Sequence, residues 1–143
     1  MAAELIRHAT SSWAGHAFIY VGENTIVEGT APCTRLAHVS SHPDARWNWR
    51  EELTAQQRTH IVSRAHALVG TPYDWPAYIG LALEILSLKT GKAMSPYFQN
   101  DTWRVCSADV ADCYSYAGID LTQGLKYPNL VTPADLYDRL QRL

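Results

Sequence analysis

Cys106, His16 and Glu28 are the residues of this 143-residue chain whose types and placement suit covalent catalysis. A thiolate nucleophile needs a base, most often a histidine, and the base needs a third polar group to orient its ring. Cys106 follows the polar stretch Gln99–Arg104. It stands at the start of a helix expected over Ser107–Ala117, where Val110, Cys113, Tyr114 and Ala117 mark an inner face closed by Gly118. A helix N-terminus carries about half a positive charge, which favours thiolate over thiol, and Arg104 would push the same way. Cys113, two turns deeper, lacks that field and reads as core. Cys33, in the turn Ala31-Pro32-Cys33, has no evident partner. The competing reading of Cys106 is a small core residue, since free cysteine is among the most buried types.

Six histidines compete for the role of base. His60 and His66 fall on a polar-faced helix, His38 and His42 near a loop, and His8 near the terminus. His16 differs because it begins an apolar strand that would hold its ring rigidly. Glu28 is the only acidic residue in Thr25–Val39, so it is the choice for orienting that ring. The alternative for Glu28 is a solvated carboxylate at a strand end. The offset between positions 16 and 28 is even. With an odd-length loop, an antiparallel hairpin places both on one face of the sheet, whereas a two-residue loop would separate them.

The elements that must position these groups follow from local pattern. Ala17–Val21 and Thr25–Glu28 are rich in β-branched and aromatic residues around Gly22-Glu23-Asn24, which predicts a hairpin. Arg35–Ser40 is a candidate third strand, and Ser41–Asn48 is a polar loop. Ile61, Ala65, Leu68 and Val69 lie at helical spacing before Gly70 and Pro72. Ile79–Leu88 is apolar on nearly every side and predicts a buried helix, with Thr90–Asp101 a loop after it. Thr132, Pro133 and Asp135 are an N-cap, a first-turn proline and a capping-box acid, followed by the stripe Leu136, Leu140 and Leu143. Strands first and helices afterwards predict one α+β domain over 1–143, with helices packed on an antiparallel sheet.

Composition bounds the function classes. Apolar residues make up 47% and charged residues 18%, which excludes disorder driven by high charge and low hydrophobicity. A net charge of -2 argues against a protein that grips nucleic acid by neutralising phosphates. The first fifteen residues lack a signal-peptide core, the cysteines are few and scattered, and the longest apolar stretch falls short of the roughly 20 residues a bilayer crossing needs. These features predict a cytoplasmic protein with reduced thiols and no transmembrane segment, which leaves room for a phage-encoded or co-exported role.

Taken together, the quoted segments resemble a known family. Gly15-His16-Ala17-Phe18-Ile19-Tyr20-Val21-Gly22 with Ile26-Val27-Glu28-Gly29 is similar to the catalytic-histidine hairpin of NlpC-like, papain-fold cysteine hydrolases. Gly70-Thr71-Pro72-Tyr73-Asp74-Trp75 resembles the family's tyrosine-containing loop, and Val105-Cys106-Ser107-Ala108 its nucleophile segment. The cysteine segment follows the hairpin here, as in the circularly permuted, YiiX-like subgroup that includes lecithin:retinol acyltransferase-like proteins. Leu5-Ile6-Arg7 through Ser12 and Thr132-Pro133-Ala134-Asp135-Leu136-Tyr137 also resemble that subgroup.

The resemblance implies a permuted papain-like fold with Cys106 as nucleophile, His16 as base and Glu28 as the orienting group. It places Tyr73 beside the site as an oxyanion or substrate contact, and gives the backbone N–H of Cys106 to the oxyanion. Many NlpC-like enzymes and acyltransferases carry a second histidine where Glu28 stands; glutamate suits YiiX-like hydrolases. The implied substrates are peptides (cell-wall peptides among them), other amides or lipid esters, with no cofactor and no metal. Two rivals are a non-enzymatic interaction domain on the same scaffold and a lipid acyltransferase. A zinc module is disfavoured, because the chain has no Cys-x-x-Cys pair and its three cysteines are scattered. The sequence leaves the oligomeric state open.

Overall fold

The computed structural model describes residues 4, 7–8, 11–48, 52–73, 83, 106–125 and 131–142. Within them the chain forms strands β1 (Phe18–Gly22), β2 (Thr25–Glu28) and β3 (Arg35–His38), then helices α1 (Ala55–Leu68), α2 (Cys106–Tyr116) and α3 (Pro133–Arg142). The sheet is antiparallel in the order β1-β2-β3, so the described fold is α+β as the sequence predicts.

The first hairpin settles the parity question by a route the sequence reading did not foresee. Its loop is the two-residue turn Glu23-Asn24, with φ of 50° and 55°, the left-handed pair that a type I′ turn demands. Alone, that loop would put His16 and Glu28 on opposite faces. A register shift between Tyr20 and Gly22 adds one residue to β1, and Gly22 takes φ 105° to accommodate it. Beyond the bulge Phe18 stands opposite Glu28, so His16 lies diagonal to Glu28.

Central strand β2 buries Ile26, Val27 and Glu28, while the edge strand β3 stays largely exposed. Ile19 and Val27, paired across β1 and β2, meet Ile61, Ala65 and Leu68 of α1, Val110, Cys113 and Tyr114 of α2, and Leu136 of α3 in one apolar core. Helix α1 starts with a full capping box, Thr54 Oγ1 accepting from Gln57 N and Gln57 Oε1 accepting from Thr54 N. Val69, expected on the buried stripe, is 40% exposed. It is the helix C-cap, where a ψ of 129° turns the following chain out of the helix.

Helix α3 begins as read: Asp135 Oδ2 accepts from Thr132 N and Oγ1, and Thr132 Oγ1 accepts from Asp135 N. The third-strand segment ends at His38 and continues as a single 3-10 turn, Val39–Ser41. Most of the expected Ile79–Leu88 helix lies outside the described residues, as do Thr90–Asp101, Arg104 and Leu143. Leu83, the one described position of that helix, is helical but 58% exposed, against the burial expected on all sides. Among the described residues no helix is long and apolar enough to cross a membrane.

Candidate active site

Glu28 ends the central strand with 3% of its side chain exposed, so the solvated-carboxylate reading fails. A carboxylate that far from water has to be matched by donors. Oε1 accepts from Nε (3.0 Å) and Nη2 (2.9 Å) of Arg35, which stands directly opposite it on β3. Oε2 meets Nε2 of His16 at 3.0 Å and Nε2 of His42 at 2.7 Å. Hydrogen bonds from His16 lead in holding the Glu28 carboxyl down at about 2; burial works against this, and His42 and Arg35 add to it.

His16 is fixed from both sides. Glu28 engages Nε2 at 3.0 Å, and the Cys106 side chain comes close enough to act on the same ring. Burial alone would discharge the ring. Hydrogen bonding and electrostatic attraction from Cys106 and Glu28 outweigh it and raise the His16 pKa to about 10. The ring is therefore an imidazolium across the neutral range, set between sulfur and carboxylate.

Cys106 is the first residue of α2 and only 2% exposed. It is thus both a buried residue, as the core reading has it, and the partner of His16. Three contacts seat this end of the helix. Ser107 Oγ donates to the carbonyl of Val131 at 2.7 Å, just before α3. Thr34, buried between β2 and β3, donates to Asp109 Oδ2 at 3.0 Å. Gly29, directly after Glu28, lies so close that a Cβ there would sit 2.7 Å from Asp109 Oδ2 and 3.3 Å from Cys106 Cα. The missing side chain lets the helix that begins at Cys106 touch the strand that carries the carboxylate.

Gly29→Ala is therefore expected to push the start of α2 away from His16. A displacement on the 1 Å scale costs about 10²-fold in rate. If Cys106 and His16 act as a catalytic pair, kcat should fall while the variant still unfolds cooperatively in a thermal melt, and an unchanged kcat would contradict the close approach.

The structure thus brings Cys106, His16 and Glu28 together. Tyr73 is half-buried, with its backbone N–H donating to the Pro32 carbonyl at 3.0 Å beside the Cys33–Pro72 bridge. Asp74 and Trp75 of its loop lie outside the described residues. Cys113 is buried in the core, and Cys33 is half-buried and free.

Two members of the cluster escaped the sequence reading. Arg35 had a findable signal, since extending the hairpin pattern to β3 sets a lone cation opposite a lone acid. His42 had almost none, because it comes from the loop after the 3-10 turn. It is held there by stacking on Phe18, with ring centroids 4.9 Å apart and planes 22° apart. His38, four residues earlier, is not part of the cluster; its Nδ1 instead meets Ser40 Oγ and N.

A cavity of about 680 Å³ opens beside His16 and His42, with Trp13, Phe18, Trp47 and Tyr137 among its walls. His16, Glu28 and His42 also present three metal-capable ligand atoms within 4.8 Å of one another. The chain matches no family model and no curated protein.

Proposed function

We propose that the protein is a cysteine hydrolase that cleaves an amide or ester bond through a thioester acyl-enzyme, on a permuted papain-like scaffold of the NlpC type. One observation carries this reading: His16 is held between the sulfur of Cys106 and the buried carboxylate of Glu28. A nucleophile, a base and an orienting acid in that sequence of contacts form the arrangement that activates a thiol.

In the proposed reaction the thiol proton resides on His16 and the sulfur attacks the substrate carbonyl. The carbonyl oxygen becomes an oxyanion, held by the backbone N–H of Cys106 at the helix start and by Tyr73. As the tetrahedral intermediate collapses, the bond to the leaving amine or alcohol breaks, and His16 gives its proton to that group. A water molecule, deprotonated by His16, then attacks the thioester. The acid leaves, and the proton returns to the Cys106–His16 pair. Glu28 keeps the ring aimed throughout and offsets its charge. Peptides, cell-wall peptides among them, and lipid esters are the substrate classes the reading admits, and no cofactor enters the chemistry.

The direct test is to incubate the protein with a panel of activated esters and amides and digest it for mass spectrometry. Acylation should appear on the Cys106 peptide and decay as product forms. A panel that leaves Cys106 unmodified, or an adduct on Cys33 instead, would overturn the proposal.

A further inference from the structure

The geometry points to a zinc site built from His16, Glu28 and His42, placed so that an occupying ion switches the proposed hydrolase off. Nε2 of both histidines converges on one oxygen, Glu28 Oε2, at 3.0 Å and 2.7 Å. In a tetrahedral zinc shell with bonds of about 2.0–2.1 Å, neighbouring ligand atoms stand about 3.3 Å apart. Each histidine nitrogen needs to move only a few tenths of an ångström from Oε2, and the three ligand atoms already lie within 4.8 Å of one another.

Their surroundings suit such an ion. Arg35 occupies Oε1, which leaves Oε2 to act as a single-oxygen ligand with its carboxylate already oriented. The His42 ring is held by its stack on Phe18 and lies 5.3 Å, centroid to centroid, from the His16 ring. Both histidines line the cavity, so an ion can enter and a fourth position stays open to water. Arg35 is the unfavourable element, because its charge repels a cation. With 57% of that side chain exposed, solvent screens much of the repulsion. Two imidazoles and one carboxylate favour zinc over magnesium or calcium, which prefer all-oxygen shells.

Occupancy and catalysis compete for His16. With zinc on Nε2, the neutral ring carries its proton on the other nitrogen and has no lone pair left to take one from Cys106. This inhibition rests on the hydrolase reading; the binding itself does not.

The experiment uses Cys106→Ser, which removes the nearest thiol, titrated with zinc chloride by calorimetry. One ion per chain is expected at micromolar affinity or tighter, weakened about tenfold or more by adding His42→Asn. Circular dichroism checks that the double variant folds. Should it fail to fold, the visible spectrum of cobalt bound to Cys106→Ser decides, with nitrogen and oxygen ligation expected and no thiolate charge-transfer band. Absence of binding, binding indifferent to His42→Asn, or a thiolate band implicating Cys33 or Cys113 would overturn the site. In the wild-type protein zinc should suppress turnover and a chelator restore it. A protein that binds zinc in this way yet has no turnover to suppress would defeat the hydrolase reading and leave the metal site standing. Turnover unaffected by a saturating ion would defeat the inhibition.

Discussion

Cys106→Ala is expected to abolish turnover, by about 10³-fold or more, while the protein remains folded. The loss is that large because, in the proposed mechanism, nucleophile and base act as one unit; without the sulfur only binding and oxyanion contacts would remain. Folding should survive because alanine fits the space of a small side chain and helix α2 stays anchored by Ser107 to Val131 and by Asp109 to Thr34. Cys113→Ala is the control with the opposite signature. That side chain is 1% exposed within the apolar core, so truncation costs stability through a small cavity and leaves the chemistry in place. Kinetics and thermal melts on the two variants should therefore diverge, one losing rate and the other melting temperature. Equal loss of rate in both would contradict the assignment.

Glu28→Gln should reduce kcat by about 10²- to 10⁴-fold, the range seen when an orienting carboxylate becomes an amide. The oxygen end of the glutamine can still serve Arg35. Its NH₂ end then faces Nε2 of His16 and of His42, where it donates instead of accepting. For His16 this fixes the wrong tautomer: the proton moves to the nitrogen that should receive one from Cys106. The ring also loses a hydrogen bond and a negative charge that keep it protonated. Stability should fall as well, by about 1–3 kcal/mol for a buried polar group deprived of its partners. The diagnostic is the pH profile. Loss of the carboxylate lowers the His16 pKa from its raised value, so the alkaline limb of any bell-shaped dependence should move to lower pH. A limb that stays put would deny Glu28 its role.

The sequence made parts of this arrangement legible through local rules. Thr132-Pro133-Ala134-Asp135 declared the start of α3, and Val110, Cys113 and Tyr114 declared the buried face of α2, because caps and helical periodicity depend on neighbours within a turn or two. The hairpin was legible but its parity was right for an incomplete reason. Two turn residues with positive φ and a bulge at Gly22 together do what a three-residue loop was expected to do. What stayed hidden was long-range. Thr34 meets Asp109 across 75 positions, and Gly29 meets Cys106 by having no side chain, a signal visible only when the two backbones are side by side. His42 reaches Glu28 from a loop whose path is set by packing on Phe18, and no spacing rule encodes that. The metal-capable set was missed for the same reason, as its members lie 12 and 14 positions apart instead of in a short ligand motif.

The pairing of Cys106 with His16 is the claim on which everything functional depends, and alkylation kinetics tests it without knowledge of the substrate. Wild-type protein and His16→Ala are treated with iodoacetamide at neutral pH, and the labelling rate of each cysteine is read by mass spectrometry. Exposure alone would label half-buried Cys33 ahead of Cys106, which is 2% exposed. Activation by His16 reverses that order in the wild type and is lost in the variant, where Cys106 labelling should slow by about tenfold or more. Cys106 labelling that trails Cys33 in the wild type, or that is unchanged by His16→Ala, would contradict the account.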